Sequence, residues 1–270
     1  MSKYVIYKGT EGLINMLGGI AYCTKWCNEN NHILLIDLKS NPYYKTHFSR
    51  FFYLKNYNFI EDYNLIDNNM EGINLIKLKD FNPKIIYEQN ARKYIFDELL
   101  ISKSLYCWNF NSSIKIYCGN GGISRQNINK YIRIKNDILL KILKYDLTLK
   151  FDEYLAIHFR NTDVSNNICN FYSRIEQYKN IYVATDDYQI VNNLKKKYPD
   201  KEFLSYSEPE NTKIFGMHYI KKNKFKLIFN LLVDIYICML SNDFIGSPNS
   251  SISRIIFYLK KQKNNIFNKN

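Results

Sequence analysis

The feature that most constrains the fold of this chain is a short apolar run, a helical stretch and a second short apolar run. Tyr4–Tyr7 is predicted to be a strand, a helix follows Gly9 and Gly12 up to about Asn30, and Ile33–Ile36 is a second strand. Two strands joined through a helix pair in parallel with a right-handed crossover, because the helix returns the chain to the starting edge. The chain is therefore expected to contain a parallel sheet covered by helices.

The second half shows the same alternation more regularly. The pattern predicts strands at Tyr154–Phe159, Asn180–Thr185, Phe203–Tyr206 and Phe244–Gly246, and helices at Gln189–Lys197, Phe225–Leu240 and Ser250–Leu259. This order is typical of a doubly wound α/β unit. The less regular middle region gives helices at Tyr43–Phe52, Arg92–Tyr106 and Asn127–Tyr145, and strands near Asn74–Leu78 and at Ile114–Tyr117. We therefore predict two α/β lobes, residues 1–150 and 151–270, with a boundary near residues 146–152.

The composition indicates a folded chain with a preference for anionic partners. Its 270 residues are 46% hydrophobic and 16% aromatic, which excludes a disordered protein. The formal net charge of +13 favours a nucleotide diphosphate, an acidic lipid or a nucleic acid as partner. Lysine and asparagine are abundant in nearly every segment, so most of this charge is attributed to a general sequence bias.

The cysteines and the apolar runs restrict the type of protein further. The six cysteines include no CxxC pair, and the four histidines are isolated from paired cysteines, so no zinc site is predicted. The N-terminus lacks a signal sequence, and no apolar run is long enough to span a membrane. We therefore expect a reduced, cytoplasmic protein without a membrane span.

Polar residues follow two of the predicted strands, at the place where parallel sheets bind ligands. His158 and Arg160 point to the same face of their strand, because side chains alternate along it. The Arg160 guanidinium can bind a phosphate through two hydrogen bonds, or it can form an ion pair with Asp163. Asp186 and Asp187 follow the next strand. They either cap the following helix or hold a metal, orient the guanidinium or contact a ribose.

Two further loops carry weaker signals. Ser250 and Ser251 begin the last predicted helix, where hydroxyls and free N–H groups form an anion site, although a simple N-cap is the alternative. Gly9 and Gly12 follow the first strand without forming a GxGxxG fingerprint, but they allow a ligand or another backbone to approach closely. A phosphate-binding Arg, an Asp pair and a hydroxyl pair at successive strand ends together indicate a nucleotide-sugar site.

In this order the motifs resemble those of the fucosyltransferase superfamily, above all the α1,6-fucosyltransferases and their nodulation relatives. The matching segments are His158–Asp163, Tyr182–Asp187 and Asp234–Arg254, and Gly12-x-x-Asn15 is similar to the glycine-rich opening of these enzymes. The resemblance implies a GT-B-like α/β fold, in which two Rossmann-like lobes with parallel sheets enclose a cleft. Residues 1–150 would then form the acceptor-side lobe, and residues 151–270 would bind the nucleotide sugar.

The resemblance also implies the chemistry. A metal-independent, inverting enzyme without a cofactor would transfer L-fucose from GDP-fucose, or a sugar from another nucleotide sugar, to a glycan hydroxyl. Arg160 would bind the β-phosphate and support the departing diphosphate, as a metal cation does elsewhere. The other implied donor-binding residues are His158 and Asp234 for guanine, Ser250 and Ser251 for the phosphates, the acidic pair Asp186 and Asp187, and Gly12 and Asn15 in the N-terminal segment.

The acceptor side departs from the α1,6 enzymes. Asn161 replaces a second Arg, and the Lys and Glu that follow in those enzymes, the Glu being their proposed base, are missing. The remaining candidates for a general base are Asp163, Glu11 and Asp37, unless GDP itself takes the proton. One alternative is therefore a non-catalytic relative that binds GDP or glycan. A second is a basic nucleic-acid-binding protein, although the leading prediction includes no nucleic-acid partner.

Overall fold

The computed structural model of the chain describes residues 4–9, 12–39, 41, 45–66, 84–88, 91–95, 100–102, 105–111, 114–118, 125–149, 153–161, 167–206 and 223–267. For 84–127, 147–148, 188 and 263–267, only backbone is described. The chain divides into two compact units, Met1–Lys135 and Asn136–Asn270. This division lies before the predicted boundary near residues 146–152. The predicted lobe ranges, 1–150 and 151–270, and the cleft between the lobes stay predictions.

The described elements alternate between strands and helices over most of the chain. The strands are β1 (Tyr4–Tyr7), β2 (Ile33–Ile36), β3 (Phe52–Leu54), β4 (Phe59–Ile60), β5 (Lys84–Glu88), β6 (Ala91–Ile95), β7 (Leu100–Ser102), β8 (Leu105–Asn111), β9 (Ile114–Cys118), β10 (Ile132–Ile134), β11 (Leu155–Phe159), β12 (Asn180–Thr185), β13 (Glu202–Leu204) and β14 (Asp243–Gly246). The helices are α1 (Leu13–Asn30), α2 (Arg125–Tyr131), α3 (Asn136–Thr148), α4 (Cys169–Ile175), α5 (Tyr188–Lys197), α6 (Lys224–Leu240) and α7 (Ser251–Phe267), with single 3-10 turns at Phe48–Arg50 and Tyr63–Leu65. None of these helices is long and apolar enough to cross a membrane.

The first unit is built on a six-stranded sheet in the order β4-β2-β1-β9-β8-β7. Strands β4, β2, β1 and β9 are parallel, and β8 and β7 extend the sheet antiparallel. All four residues of β1 are buried, as expected for a central parallel strand that is covered on both faces. The predicted βαβ unit at the start of the chain is therefore confirmed.

Helix α1 ends through backbone geometry that its sequence favours. Asn31 takes the left-handed conformation, with φ 54° and ψ 47°, and asparagine tolerates this conformation better than most residues. The N–H groups of Asn31 and His32 then donate to the carbonyl of Cys27, which satisfies an otherwise unpaired end of the helix. This termination releases the chain directly into β2.

The second unit contains a four-stranded parallel sheet in the order β13-β12-β11-β14. One face packs against α4 and α5 in an apolar cluster that includes Leu155, Ile157, Ile181 and Val183. The alternate residues of β11 and β12 face α6 and α7, because side chains alternate along a strand. The α/β fold with parallel sheets is confirmed, and the predicted strand Asn180–Thr185 has its predicted ends.

The irregular middle region was predicted less well. The helix predicted at Tyr43–Phe52 is wrong, since a 3-10 turn at Phe48–Arg50 leads directly into β3, and the helix predicted at Arg92–Tyr106 is replaced by β6, β7 and the start of β8. The helix predicted at Asn127–Tyr145 is interrupted by β10, which pairs antiparallel with β3. The strand predicted near Asn74–Leu78 lies outside the described residues.

Candidate functional site

The parallel sheet of the second unit brings the strand ends before Arg160 and before the Asp186 and Asp187 pair next to each other. The same sheet places β14, the strand that precedes Ser250 and Ser251, beside them. In the register of the sheet, His158 on β11 lies between Ala184 on β12 and Gly246 on β14. The carboxyl ends of these three strands therefore lie side by side at one edge. The residues after them, including Arg160 and Asp186, come from loops that start at the same edge. This is the position at which open α/β sheets bind ligands.

The His158 ring is buried under α7 and is neutral. Its Nδ1 lies 2.7 Å from Ser253 Oγ of α7, and the residue is 6% exposed. Burial, with a smaller contribution from the positive charge of Arg160, lowers the pKa of His158 from 6.5 to about 3. At neutral pH the ring consequently offers one N–H donor and one acceptor. Such a ring is suited to recognising a base edge and contributes no positive charge.

The backbone of Arg160 is fixed by a serine from the neighbouring strand end. The Arg160 N–H donates to Ser247 Oγ over 3.0 Å. The Ser247 N–H donates to the carbonyl of His158 over 3.0 Å, and the Ser247 hydroxyl donates to the same carbonyl over 3.3 Å. Ser247 is fully buried, whereas Arg160 is partly exposed. The main chain at Arg160 is thus held in place.

The acidic pair has a structural role that the sequence left open. The Asp187 carboxylate caps α5 by accepting from the N–H of Gln189 over 3.1 Å. It also accepts from the side-chain amide of Asn161 over 3.0 Å, and Asp186 accepts from the backbone N–H of Asn161 over 2.8 Å. For Asp187 the capping interpretation is therefore correct. Through Asn161, both carboxylates connect the loop after β12 to the loop after β11.

The N-terminus of α7 carries a buried hydroxyl without a hydrogen-bond partner. Ser250 is 1% exposed, and its Oγ has no partner among the residues that the structure describes. No acidic side chain lies in the first turn of α7, so the N–H groups there retain their partial positive charge. A buried hydroxyl without a partner costs about 1–3 kcal/mol. This arrangement favours the anion-site interpretation, and Ser251, the first residue of α7, is partly exposed beside it.

Asp234 lies on α6, under the same face of the sheet as His158. Its Oδ1 accepts a hydrogen bond from the Tyr182 hydroxyl over 2.6 Å, and both residues are buried. Burial, together with the negative charge of Asp234, raises the pKa of Tyr182 well above its ordinary value. The phenol therefore stays protonated and donates a hydrogen bond to the carboxylate. One carboxylate oxygen of Asp234 is thus occupied by the protein itself, and its role toward guanine stays a prediction.

Gly12 and Asn15 lie at the N-terminus of α1 in the first unit. Gly12 is exposed and precedes the helix in an extended conformation, and its carbonyl accepts from the N–H of Met16 over 3.0 Å. Asn15 is partly buried in the first turn. No acidic residue lies in that turn, which leaves the helix end electropositive. The predicted donor contacts of both residues stay predictions.

A separate polar cluster lies at the carboxyl ends of β1 and β2. Lys8 Nζ lies 3.3 Å from Asp37 Oδ2, and both side chains are buried. The Tyr63 hydroxyl donates to the same carboxylate oxygen over 2.7 Å. A carboxylate held by a cation and a phenol in a buried place is poorly suited to accept a proton from a substrate. This pairing argues against Asp37 as a general base.

The remaining candidate bases, Asp163 and Glu11, lie outside the described residues. Among the residues that are described, no group of three or more His, Cys, Asp and Glu side chains is placed to hold a metal ion. The expectations of metal-independent chemistry and of a base at either position stay predictions.

Sequence reasoning did not assign site roles to Ser247, Ser253 or Lys8. Ser247 and Ser253 contact His158 or the backbone of Arg160, and Lys8 neutralises Asp37. The available signal for Ser253 was a hydroxyl on the apolar face of a helix beside Ile256. A polar side chain at such a position is retained only where it finds a partner. Lys8 could have been found in a similar way, because it is a lysine directly after a wholly apolar strand.

Comparison with known proteins identifies the fold. No protein-family model matches the chain, and no curated protein matches it by sequence. Among solved structures, the NodZ α1,6-fucosyltransferase soaked with GDP-fucose has a TM-score of 0.61 at 15% identity, over 96% of this chain and 93% of its own. The chain has the fold of these fucosyltransferases. The resemblance inferred from the sequence motifs is confirmed.

Two further fucosyltransferase structures support the same fold. A mutant of Arabidopsis thaliana FUT1 in complex with GDP has a TM-score of 0.56 at 11% identity, over 96% of this chain and 69% of its own. POFUT1 in complex with GDP has a TM-score of 0.55 at 9% identity, over 96% of each chain. At these identities the fucosyltransferase fold is shared, and the chemistry has to be argued from the residues of this chain.

Proposed function

We propose that the chain is a glycosyltransferase that takes its sugar from a GDP-linked donor, specifically GDP-fucose, and transfers it to a glycan hydroxyl. The observation that carries this proposal is the Ser250 hydroxyl, buried without a partner at the N-terminus of α7. A buried polar group of this kind is satisfied by a bound oxyanion. The solved relatives of this fold that are bound to GDP or GDP-fucose support a nucleoside diphosphate as that anion.

Each part of the proposed site would bind a different part of the donor. The N-terminus of α7 with Ser250 and Ser251 would hold the phosphates, and the Arg160 guanidinium would neutralise the charge that develops on the departing diphosphate. The neutral ring of His158 would contact the guanine edge. Arg160 is suited to this role because its backbone is held by Ser247, so the point from which its side chain extends is fixed before the donor binds.

In the proposed reaction, the acceptor hydroxyl oxygen forms a bond to the anomeric carbon of the sugar as the bond to the β-phosphate oxygen breaks. The leaving group is GDP, and the proton of the hydroxyl passes to a general base or to GDP itself. The chemistry proposed here is metal-independent, since the Arg160 guanidinium supplies the positive charge beside the diphosphate. Asp163 and Glu11 remain the candidate bases.

One observation favours a non-catalytic relative as a second candidate. Asn161, which stands where the α1,6 enzymes have a second Arg, is engaged by Asp186 and Asp187 and adds no positive charge to the site. A protein of this kind would bind GDP or a GDP-sugar without releasing GDP. The two candidates therefore differ in turnover and agree on nucleotide binding.

A thermal-shift experiment tests nucleotide binding. GDP at one hundred times its dissociation constant should stabilise the wild type by about 2.7 kcal/mol, which raises the melting temperature by about 5 °C. Arg160→Ala should abolish this shift. Arg174→Ala is the matched control, because Arg174 pairs with Asp243 at the opposite end of β14. No effect of millimolar GDP on the wild type would contradict the proposal.

A turnover assay separates the two candidates. GDP release is measured from a panel of GDP-sugars, with and without glycan acceptors. The transferase predicts release that increases with an acceptor and that is highest for GDP-fucose. Binding of GDP-fucose without any release, at an enzyme concentration that would detect one turnover per hour, would instead favour the non-catalytic relative.

A further inference from the structure

The hydrogen bond between His158 and Ser253 has a defined direction. The described residues give the Ser253 hydroxyl one partner, the Nδ1 atom of His158 at 2.7 Å, and Ser253 is 1% exposed. If Nδ1 carried the proton and donated, the hydroxyl hydrogen of Ser253 would be buried without an acceptor. Unpaired buried donors are costly and rare, whereas an acceptor with an unused lone pair is tolerated more often. When the hydroxyl donates instead, the ring proton lies on Nε2, which is not one of the buried side-chain atoms without a partner among the described residues, so no donor is left both buried and unpaired. The hydroxyl is therefore the donor.

The hydroxyl is held in this position by the packing of α7 against β14. A Cβ atom added to Gly246 would lie 2.5 Å from Ser253 Oγ and 2.7 Å from Ser253 Cβ. The absence of a side chain at Gly246 is thus what allows Ser253 to approach the sheet. The carbonyl of Ser250 accepts from the N–H of Arg254 over 3.1 Å, which starts the helix one turn before this contact.

We propose that Ser253 is a positioning residue that donates to Nδ1 of His158 and so places the ring proton on Nε2. The other nitrogen of a histidine carries the proton when one nitrogen accepts a hydrogen bond. His158 then offers a single N–H donor at Nε2, which makes no hydrogen bond to the described residues. This inference rests on the proposed function for the identity of the ligand.

The position of this proton determines which base the site accepts. The edge of guanine that carries O6 and N7 presents two acceptors, whereas the corresponding edge of adenine presents the N6 amino donor beside N7. An Nε2–H donor therefore matches guanine O6 and opposes the adenine amino group. The other tautomer would reverse this preference. Ser253 thus selects GDP over ADP without touching the nucleotide.

The tautomer can be measured directly in the nucleotide-free protein. Two-bond nitrogen–proton NMR spectra of the imidazoles at pH 7 distinguish the two neutral forms, and His158→Gln assigns the His158 signals by their loss. The wild type should show the Nε2–H form. In Ser253→Ala this preference should weaken, so that the Nδ1 and Nε2 shifts move toward each other. Ser173→Ala is the matched control, because Ser173 is exposed on α4. An Nδ1–H form in the wild type would overturn the proposal.

A binding measurement tests the consequence for the ligand. By calorimetry, Ser253→Ala should weaken GDP binding about tenfold and should not weaken ADP binding, so that the GDP-to-ADP preference falls by about tenfold or more. Equal losses for both nucleotides would refute the selection of guanine. Failure of the wild type to bind GDP would overturn the proposed function together with the guanine contact. In that case the NMR result would still decide the direction of the hydrogen bond.

Discussion

Replacing His158 with glutamine should remove a pH dependence of stability that the wild type shows below neutrality. The folded protein holds the pKa of this ring at about 3, because the ring is buried and lies near Arg160. In the unfolded chain an imidazole titrates near 6.5. Between these values the unfolded state binds a proton that the folded state does not, so stability falls as the pH falls. The loss begins near pH 6.5 and is complete near pH 3.

The magnitude follows from the difference between the two pKa values. At pH 4.5, two units below the unfolded pKa and above the folded one, the wild type should have lost about 2.7 kcal/mol relative to pH 7.5. His158→Gln cannot titrate, so this part of the loss should disappear. The variant also loses packing and its bond to Ser253, which lowers its stability at both pH values. The prediction therefore concerns only the change in the free energy of unfolding between pH 7.5 and pH 4.5, compared between the wild type and His158→Gln.

The assay has to report on the second unit. Both tryptophans, Trp26 and Trp108, lie in the first unit, so urea unfolding is followed by the amide NMR signals of β11 and β12 at pH 4.5 and 7.5. His47→Gln is the matched control, because it removes an exposed imidazole from the first unit. If the wild type and His158→Gln lose the same stability between the two pH values, the reasoning that His158 is buried and neutral is refuted.

Three further substitutions test packing and buried polar contacts. Tyr182→Phe removes the hydrogen-bond donor to a buried carboxylate and should lower the free energy of unfolding by about 1–3 kcal/mol. Urea unfolding followed by the same NMR signals measures this loss. An unchanged free energy of unfolding would contradict the hydrogen bond. Lys8→Met leaves Asp37 buried without its cation and should lower the free energy of unfolding by about 3–5 kcal/mol, measured by tryptophan fluorescence. The double variant Lys8→Met with Asp37→Leu should recover most of this loss. A cost of under about 1 kcal/mol for Lys8→Met alone would contradict the ion pair. Gly246→Ala should cost about 1–3 kcal/mol, because the added methyl group would lie 2.5 Å from Ser253 Oγ. The cost should be smaller in a Ser253→Ala background, which removes that oxygen. Additive effects in the double-mutant cycle would show that Ser253 Oγ does not limit the space at Gly246.

The elements that could be predicted from the sequence are those in which local pattern and tertiary environment agree. Tyr4–Tyr7 and Ile33–Ile36 are short, apolar and separated by a helix, and a buried parallel strand requires such a run. The region of β10 shows the opposite case. Isoleucines at helical spacing continue through Ile132 and Ile134, but these residues pair with β3, about eighty positions earlier in the chain. Tertiary pairing of this kind is invisible to a local pattern.

The candidate site likewise contains residues that the sequence predicts and partners that it does not. His158 and Asp187 could be located because a strand end and a helix start are both visible in the sequence. Their partners Ser253 and Asn161 could not be assigned, since the contact with Ser253 joins residues 95 positions apart and depends on how closely α7 approaches the sheet. That approach depends on the missing side chain of Gly246. A glycine in a strand indicates such an approach in general but does not name its partner.

The anchoring of the chain around Arg160 has a consequence for the speed of ligand capture. Ser247 holds the N–H of Arg160, and Asp186 holds the N–H of the next residue, so the main chain is ordered on both sides before any ligand arrives. Binding an anion then requires the ordering of one side chain, an entropic cost of about 0.5–1.5 kcal/mol, and no rearrangement of this segment. Capture at this point should be a single step. Its observed rate should rise in proportion to ligand concentration, without the plateau that a slow loop movement imposes.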